Sequence, residues 1–244
     1  MTVETDSTLP EIEELRLNID GHRAHYLKTG SGPPVVLIHG GASDSRDWIE
    51  TMKALAPDFT LYAPDIIGFG QSDRNEEGYY LSDFSDFLLT FIDTLRLAKP
   101  ALVGHSFGAR ICLDAALQSH EKISKLILID ASGLGKISKF CSTLMTVFWV
   151  IRKLLRQPQP YPKFLVRDGD DYDHVGIEKL AGLNVPTLLV WKRYDPYLPV
   201  SNARNAVALL PDAKLVTVPG FGHAPHKQDN SSFVGIMREF LARD

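Results

Sequence analysis

This chain of 244 residues has only two cysteines, Cys112 and Cys141. They lie far apart, without CxxC spacing or a nearby pair of histidines, so neither a disulfide framework nor a zinc site is indicated. Residues 1–6 are polar and acidic, where a secretion signal would be basic and then apolar. We therefore expect a protein of the reducing cytoplasm.

Long hydrophobic runs and an excess of positive charge are missing as well. The most apolar run, residues 144–151, is well short of the roughly 20 residues that a membrane span needs, so we expect no stable membrane insertion. A formal net charge of -4 provides no basic field for phosphate backbones, which disfavours nucleic acid as a partner. With 44% hydrophobic and 23% charged residues, the composition is that of an ordinary folded globular protein.

What the chain does contain is a regular alternation of short apolar runs and helical patterns, which is typical of α/β proteins with a parallel sheet. An antiparallel hairpin that turns at Asp20-Gly21 is predicted to open the fold. Buried strands are predicted at 35–38, 59–63, 101–103, 125–129, 187–191 and 214–218. Helices are predicted at about 46–55, 82–97, 107–119, 201–210 and 232–242.

The alternation is interrupted once, by roughly 50 residues between the strand that ends near Asp130 and the strand that starts near Thr187. This insertion has a helical stretch around 138–155, followed by a proline-rich bend and an acidic stretch. We predict a core domain formed by residues 1–132 and 184–244, with residues 133–183 as a small helical lid. The lid would cover the carboxyl edge of the sheet, where open α/β folds bind their ligands.

The strongest local motif is the GxSxG pentapeptide Gly104-His105-Ser106-Phe107-Gly108, which directly follows one predicted strand and directly precedes a predicted helix. In such a nucleophile elbow the serine occupies a strained turn, and the flanking glycines let strand and helix approach closely. The pentapeptide alone is a weak pattern that also occurs by chance, but its position between a strand and a helix makes it specific. We identify Ser106 as the candidate nucleophile.

Residues that could activate Ser106 follow the ends of later strands. A serine hydroxyl is a weak nucleophile at neutral pH, so it needs a base to take its proton and an acid to orient that base. Asp195 and His223 follow the last two predicted strands, and His223 lies in a glycine-containing loop. Asp130 is an alternative acid and His226 an alternative base. We favour Ser106, Asp195 and His223, because their order along the chain is the one that elbow-type hydrolases use.

The oxyanion that forms during attack on a carbonyl needs backbone N–H donors. Phe107 follows the nucleophile directly and is one candidate donor. The loop that begins His39-Gly40-Gly41-Ala42 follows the first buried strand and should provide the other, with Gly41 as first choice and Ala42 as second. This loop could also be a simple strand-ending turn.

The candidates for substrate binding are Ala42, beside the predicted oxyanion hole, and apolar side chains of the inserted helix. At helical spacing, such side chains either line an acyl pocket or pack against the sheet. The helix residues concerned are Phe140, Met145, Phe148 and Trp149. The histidines in polar or helix-end contexts, at positions 22, 25, 120 and 174, are interpreted as surface residues.

Together these motifs resemble the α/β-hydrolase superfamily, and the likeness covers most of the chain. Residues 65–72 are similar to the D-x-x-G-x-G-x-S segment that follows the fourth strand in that family. The resemblance implies an α/β fold with an eight-stranded, mostly parallel sheet flanked by helices, and a lid between strands six and seven. It also implies that neither a metal nor an organic cofactor takes part.

Some segments are similar to the meta-cleavage-product hydrolases of this superfamily, which cut carbon–carbon bonds. Those enzymes usually have Asn before the nucleophile and an aromatic residue after the catalytic histidine, whereas this chain has His105 and Ala224. The Gly-His-Ser-x-Gly form is more similar to carboxylesterases. Haloalkane dehalogenases and epoxide hydrolases share only the fold, since their nucleophile is Asp and position 106 is Ser.

The sequence therefore predicts a serine hydrolase that cleaves a small carboxylic ester with water, through an acyl-enzyme intermediate. Carbon–carbon hydrolysis of the meta-cleavage type is one alternative. A ligand-binding protein of low turnover on the same fold is another.

Overall fold

The computed structural model of the chain describes residues 11–41, 43–75, 79–156 and 175–243. In this part of the chain the strands are β1 (Glu13–Ile19), β2 (His22–Thr29), β3 (Pro34–Ile38), β4 (Thr60–Pro64), β5 (Ala101–His105), β6 (Leu126–Ile129), β7 (Thr187–Tyr194) and β8 (Ala213–Phe221). The α-helices are α1 (Ile49–Leu55), α2 (Leu81–Thr94), α3 (Phe107–Gln118), α4 (Lys139–Leu154), α5 (Ile177–Ala181), α6 (Val200–Val207), α7 (Pro225–Gln228) and α8 (Asn230–Leu241). Two short 3-10 turns span Ser45–Trp48 and His120–Lys122.

All eight strands belong to one sheet, in the order β1-β2-β4-β3-β5-β6-β7-β8. Strand β2 runs antiparallel to both of its neighbours, and every later pair of neighbours is parallel. The predicted fold class, an eight-stranded and mostly parallel sheet flanked by helices, is confirmed. The carboxyl ends of the parallel strands β5, β6, β7 and β8 consequently lie along one edge of the sheet.

The opening hairpin turns at Asp20-Gly21, as predicted. Both residues have positive φ, 49° for Asp20 and 86° for Gly21, and the Gly21 N–H donates to Asn18 Oδ1 at 2.9 Å. Asp tolerates this left-handed backbone and Gly adopts it freely, so the dipeptide suits the tight turn.

The core lies on both faces of the sheet. Along β5, Leu102 packs into the hydrophobic cluster shared with α2 and α3, and Val103 packs into the cluster shared with α1 and α8. Because neighbouring side chains of a strand point to opposite faces, a strand covered on both sides is apolar throughout. This burial explains why the inner strands appear in the sequence as short continuous apolar runs.

Helix α2 ends earlier than the sequence predicts. The apolar pattern continues to Leu97, but the helix ends at Thr94 and Arg96 has a φ of 52°. Helices commonly end on a left-handed residue that is Gly or Asn, and Arg at this position gives no such signal. The chain end of α2 was therefore not visible in the residue pattern.

Between β6 and β7 the chain forms helices α4 and α5. The start of α4 is held beside the loop after β7, since the Ser138 N–H donates to the Tyr197 carbonyl at 2.8 Å and Ser138 Oγ donates to the Pro196 carbonyl at 2.5 Å. The lid and the domain limits at 133 and 183 stay predictions. Across the described residues, every helix is too short or too polar to cross a membrane.

Candidate active site

Ser106 lies in a sharp turn between β5 and α3. Its backbone is in an unusual conformation, with φ 53° and ψ -112°. A Cβ added at Gly104 would lie 2.4 Å from the Gly108 carbonyl oxygen, and a Cβ at Gly108 would lie 2.3 Å from the His39 carbonyl oxygen. Only glycine fits at both positions, so the two glycines of the pentapeptide allow the strand–turn–helix connection that presents Ser106.

A chain of short hydrogen bonds links Ser106, His223 and Asp195. His223 Nε2 lies 2.9 Å from Ser106 Oγ, and His223 Nδ1 lies 2.6 Å from Asp195 Oδ2. An ionised carboxylate only accepts hydrogen bonds, so Nδ1 carries the proton and the Nε2 lone pair faces the serine hydroxyl. The three residues that the sequence predicted as a unit are thus within hydrogen-bonding distance of one another.

Asp195 is held by the backbone that follows it. Its Oδ1 accepts from the Tyr197 N–H at 2.7 Å and the Leu198 N–H at 3.1 Å, and its side chain is fully buried. Hydrogen bonds from N–H groups favour the ionised form of a carboxyl. The carboxylate therefore points one oxygen at its own loop and the other at His223.

The loop that carries His223 depends on two glycines. Gly220 has a φ of 95° and Gly222 a φ of 137°, and the Gly222 N–H donates to the Tyr194 carbonyl at 3.2 Å. This bond ties the end of β8 to the end of β7, beyond a register shift between Lys192 and Tyr194. Asp195 and His223 thus come together because they follow adjacent parallel strands.

The predicted oxyanion loop lies against the elbow. A Cβ added at Gly41 would lie 3.3 Å from the Phe107 Cβ, and one at Gly40 would lie 3.6 Å from the Ser106 Cβ. Buried His39 holds this loop, because its Nδ1–H donates to the Gly40 carbonyl at 2.8 Å and its Nε2 accepts from the Ile66 N–H at 3.0 Å. Burial lowers the pKa of His39, so the neutral ring that these bonds require is favoured.

Asp130, the alternative acid, is fully buried next to this group. Its Oδ1 accepts from the Lys192 N–H at 2.9 Å, and no hydrogen-bond partner for Oδ2 occurs among the described residues. A carboxylate oxygen of Asp130, a ring nitrogen of His105 and a ring nitrogen of His223 all lie within 4.8 Å of one another. Burial, and secondly the charge of Asp195, raise the pKa of Asp130 to about 7. We read these groups as one hydrogen-bonding network, because both nitrogens of His223 are already engaged.

His226, the alternative base, is buried away from hydrogen-bonding groups. Its ring stacks on Trp48 at a centroid distance of 4.6 Å, and neither ring nitrogen has a partner within the described ranges. Burial, with smaller contributions from Lys227 and His223, lowers its pKa to about 3. His226 is therefore a neutral packing residue, and it makes no hydrogen bond to Ser106 of the kind that His223 makes.

His105, the variable residue of the pentapeptide, supports the same loop from below. Its Nε2–H donates to the His223 carbonyl at 2.6 Å, and its ring lies 4.5 Å from the His226 ring. Burial, together with the nearby charges that His226 and His223 would carry, lowers the pKa of His105 well below the usual value. The residue before the nucleophile thus fixes the backbone of the residue that faces it.

The interpretation of His25 as a surface residue was wrong. His25 is buried in β2, where its Nδ1 lies 2.9 Å from Asp65 Oδ2. Asp65 also accepts from the Ser45 N–H and the Gln71 N–H, both at 2.7 Å. The first aspartate of the D-x-x-G-x-G-x-S segment therefore braces the loops around it. Only the antiparallel pairing of β2 with β4 places His25 opposite this aspartate, and the sequence contains no local sign of that pairing.

The predicted substrate-binding residues are only partly accessible to description. Ala42 lies outside the described residues, as do the side chains of Phe140, Met145, Phe148 and Trp149, whose backbone belongs to α4. Sequence reasoning did not single out Tyr197, whose ring is tilted against His223 at a centroid distance of 5.1 Å. Tyr197 is 42% exposed and thus faces both the imidazole and the solvent. It carries no motif of its own and is recognisable only through this contact.

Comparison with known proteins agrees with the topology. Residues 33–167 match the family described as alpha/beta hydrolase fold, and residues 170–243 match the family described as TAP-like protein. Pimeloyl-[acyl-carrier protein] methyl ester esterase of Vibrio campbellii is 24% identical, over 89% of this chain and 98% of its own. The 2-hydroxymuconate semialdehyde hydrolase of Pseudomonas sp. strain CF600 is 33% identical, over 47% of this chain and 42% of its own.

Among solved structures, the meta-cleavage product hydrolase of Pseudomonas fluorescens IP01 superimposes with a TM-score of 0.79. It is 24% identical, and the match covers 93% of this chain and 97% of that one. At this identity the superposition shows a shared fold alone. The family match extends over more than half of the sequence and coincides with the central strands and the elbow, so the chain belongs to the α/β-hydrolase fold family.

Proposed function

We propose that the protein hydrolyses a small carboxylic ester through an acyl-enzyme intermediate. The observation that carries the proposal is the geometry of Ser106, His223 and Asp195, with 2.9 Å between Ser106 Oγ and His223 Nε2 and 2.6 Å between His223 Nδ1 and Asp195 Oδ2. Nucleophile, base and orienting acid stand in the relation that acyl transfer requires.

In the first step, Ser106 Oγ attacks the ester carbonyl while His223 Nε2 takes the hydroxyl proton. Asp195 stabilises the imidazolium that forms. The N–H groups of Phe107 and Gly41 stabilise the oxyanion, and the loss of one such donor costs about 2.7–4 kcal/mol in other serine hydrolases. When the tetrahedral intermediate collapses, His223 protonates the leaving alcohol.

In the second step, water enters and His223 removes its proton as it attacks the acyl-enzyme carbonyl. Collapse of this second intermediate releases the carboxylic acid, and the proton on His223 returns to Ser106 Oγ. Water and the ester are the only reactants, and no cofactor is needed in either step.

Substrate selection belongs to the segment between β6 and β7. Residues 133–183 act as a lid on the core domain of 1–132 and 184–244, and Phe140, Met145, Trp149 and Ala42 border an apolar acyl site. The attachment of α4 at Ser138 to the Pro196 and Tyr197 carbonyls supports this role, because it anchors the helix next to Asp195. We place the protein in the cytoplasm.

The decisive experiment is the variant Ser106→Ala. We expect kcat for a p-nitrophenyl ester to fall by about 10⁶-fold, to the background rate, because the acyl-enzyme cannot form. Ser119→Ala, at the end of α3, is the matched control and should keep full activity. A fluorophosphonate probe should label the wild type and not the Ser106 variant. A Ser106→Ala protein with wild-type turnover would refute the proposal, and an unlabelled, inactive wild type would favour the low-turnover binding protein.

Carbon–carbon hydrolysis is the second candidate, favoured by the similarity to 2-hydroxymuconate semialdehyde hydrolase across about half of the chain. An ester series of increasing acyl length, run beside a meta-cleavage dienoate on the wild type and the Ser106→Ala variant, separates the two reactions. A larger kcat/KM for the dienoate than for every ester would replace the first proposal with the second.

A further inference from the structure

We propose that Asp130 is a second carboxylate partner of His223, able to orient and stabilise its imidazolium when Asp195 cannot. Resting on the proposed function, this inference adds a positioning residue to the Ser106–His223–Asp195 group. The juxtaposition that carries it is a fully buried carboxylate with one unpartnered oxygen beside the imidazole.

The placement of Asp130 follows from the sheet. It directly follows β6, the neighbour of the strand that precedes Asp195, and its N–H donates to the Val190 carbonyl at 3.0 Å. Its backbone has a φ of 41°, a left-handed conformation that turns the chain away at the strand end. Two carboxylates from adjacent strand ends thereby converge on one histidine.

The two oxygens of Asp130 have different surroundings. Oδ1 accepts from the Lys192 N–H and so braces β6 against β7. Oδ2 is buried without a hydrogen-bond partner in the described part of the chain, although buried polar atoms are nearly always paired. A purely structural brace would need one oxygen, so the second oxygen requires a separate explanation.

The imidazolium of His223 supplies that explanation. One carboxylate oxygen of Asp130 lies within 4.8 Å of a ring nitrogen of His223, a distance that a small side-chain rotation converts into a hydrogen bond. The other titratable groups around Asp130 are Asp195, His105 and Lys192, whose Nζ donates to the Pro219 carbonyl at 3.0 Å. With the pKa of Asp130 raised to about 7, its carboxyl is partly protonated at neutral pH and gains most from a new positive charge nearby.

The test compares four proteins: the wild type, Asp130→Asn, Asp195→Asn and the double variant. Asn keeps the oxygen that accepts from Lys192 and tolerates a positive φ, so Asp130→Asn removes the charge with little change of backbone. In a serine hydrolase with a single acid, its replacement by Asn lowers kcat by about 10⁴-fold. We expect Asp195→Asn to lose only about 10–100-fold and the double variant to lose about 10⁴-fold. Asp130→Asn alone should lose less than about 10-fold.

The coupling between the two positions is what separates a positioning role from a structural one. If Asp130 only braces β6 and β7, its replacement lowers kcat by the same factor with and without Asp195, and the proposal is overturned. It is equally overturned if Asp195→Asn already loses about 10⁴-fold. Asp93→Asn, which removes a surface charge far along α2, is the control for net charge.

Folding and the proposed function are monitored separately. Circular dichroism melting is recorded for every variant, and Asp130→Ser, which retains an acceptor for Lys192, replaces Asp130→Asn if the latter unfolds. Fluorophosphonate labelling of the wild type establishes that Ser106 is activated. A labelled, active wild type whose Asp195→Asn and double variants are equally active or equally inactive overturns the role of Asp130 alone.

Discussion

At the scale of single residues, three buried histidines near Ser106 have distinct tasks. His223 faces the serine hydroxyl, His105 holds the His223 carbonyl, and His226 fills space against Trp48. Only His223 has both ring nitrogens engaged by polar side chains of the site. Identical side chains thus serve as candidate base, backbone clamp and packing element according to their partners.

His226 predicts a dependence of stability on acid. Its pKa is about 3 in the folded protein and about 6.5 in an unfolded chain, so the unfolded state binds a proton first as the pH falls. The contribution of neutral His226 is complete above pH 6.5 and is lost progressively toward pH 3, which amounts to about 3 kcal/mol by pH 4. His226→Phe, which keeps the stack on Trp48, should remove this part of the loss.

The measurement is urea denaturation of the wild type and His226→Phe at pH 7 and pH 4. We expect the difference in the free energy of unfolding between the two pH values to be smaller in the variant. His22→Phe, an exposed position in β2, is the matched control and should leave the difference unchanged. An equal loss in His226→Phe and wild type would show that other groups cause the acid sensitivity.

Much of the candidate site could be predicted from the sequence because its residues stand at strand ends. Ser106, Asp195 and His223 each follow an apolar run, and parallel strands bring such positions to one edge. The burial of His25 and the approach of Asp130 to His223 depend on which strands pair. Local residue patterns contain no signal for that pairing, so these contacts were missed.

At the scale of elements, the approach of α3 to β3 depends on Gly108. A Cβ at this position would lie 2.3 Å from the His39 carbonyl oxygen and 2.4 Å from the Ile38 carbonyl oxygen. Both contacts are with backbone, which cannot move aside as a flexible side chain would. Helix and strand are therefore spaced for glycine alone.

Gly108→Ala should accordingly lower the free energy of unfolding by about 1–3 kcal/mol or more, because the helix must move away from β3. Gly235→Ala in the interior of α8 is the matched control, since a Cβ there meets nothing within 4 Å. In that helix, alanine should stabilise by about 0.5–1 kcal/mol. Chemical denaturation of both variants gives the comparison, and an unchanged stability of Gly108→Ala would contradict the packing described for the elbow.

The existence and order of the elements were predictable, and their ends were less so. The inner strands appear as apolar runs because both faces of the sheet are covered. The early end of α2 at Thr94 and the short helix Pro225–Gln228 were not predicted. Both depend on tertiary contacts or on residues with no strong preference for a helix end.

At the scale of the whole molecule, the candidate nucleophile and base stand on strands of unequal protection. β5 lies between β3 and β6 and is buried throughout, whereas β8 is an edge strand that pairs only with β7. The end of β8 is open to solvent, and Phe221 is 72% exposed. Local opening takes less free energy where few buried contacts must break.

On heating, we therefore expect esterase activity to disappear before the core unfolds. The midpoint of activity loss should lie below the melting temperature by about 2–4 °C for each kcal/mol that separates local opening of β8 from global unfolding. Residual activity at the assay temperature and circular dichroism at 222 nm, recorded over the same ramp, measure the two midpoints. Coincident curves would mean that β8 and the central strands open together.

The position of Ser106 and His223 on different parts of the sheet has a consequence for how such a protein diversifies. Mutations at the β8 edge and in the loop after it alter proton handling at little risk to the fold, whereas mutations around β5 put the whole chain at risk. Selection can thus tune the base, its acid partners and the neighbouring Tyr197 over many generations, while the attacking oxygen stays where the central strands hold it.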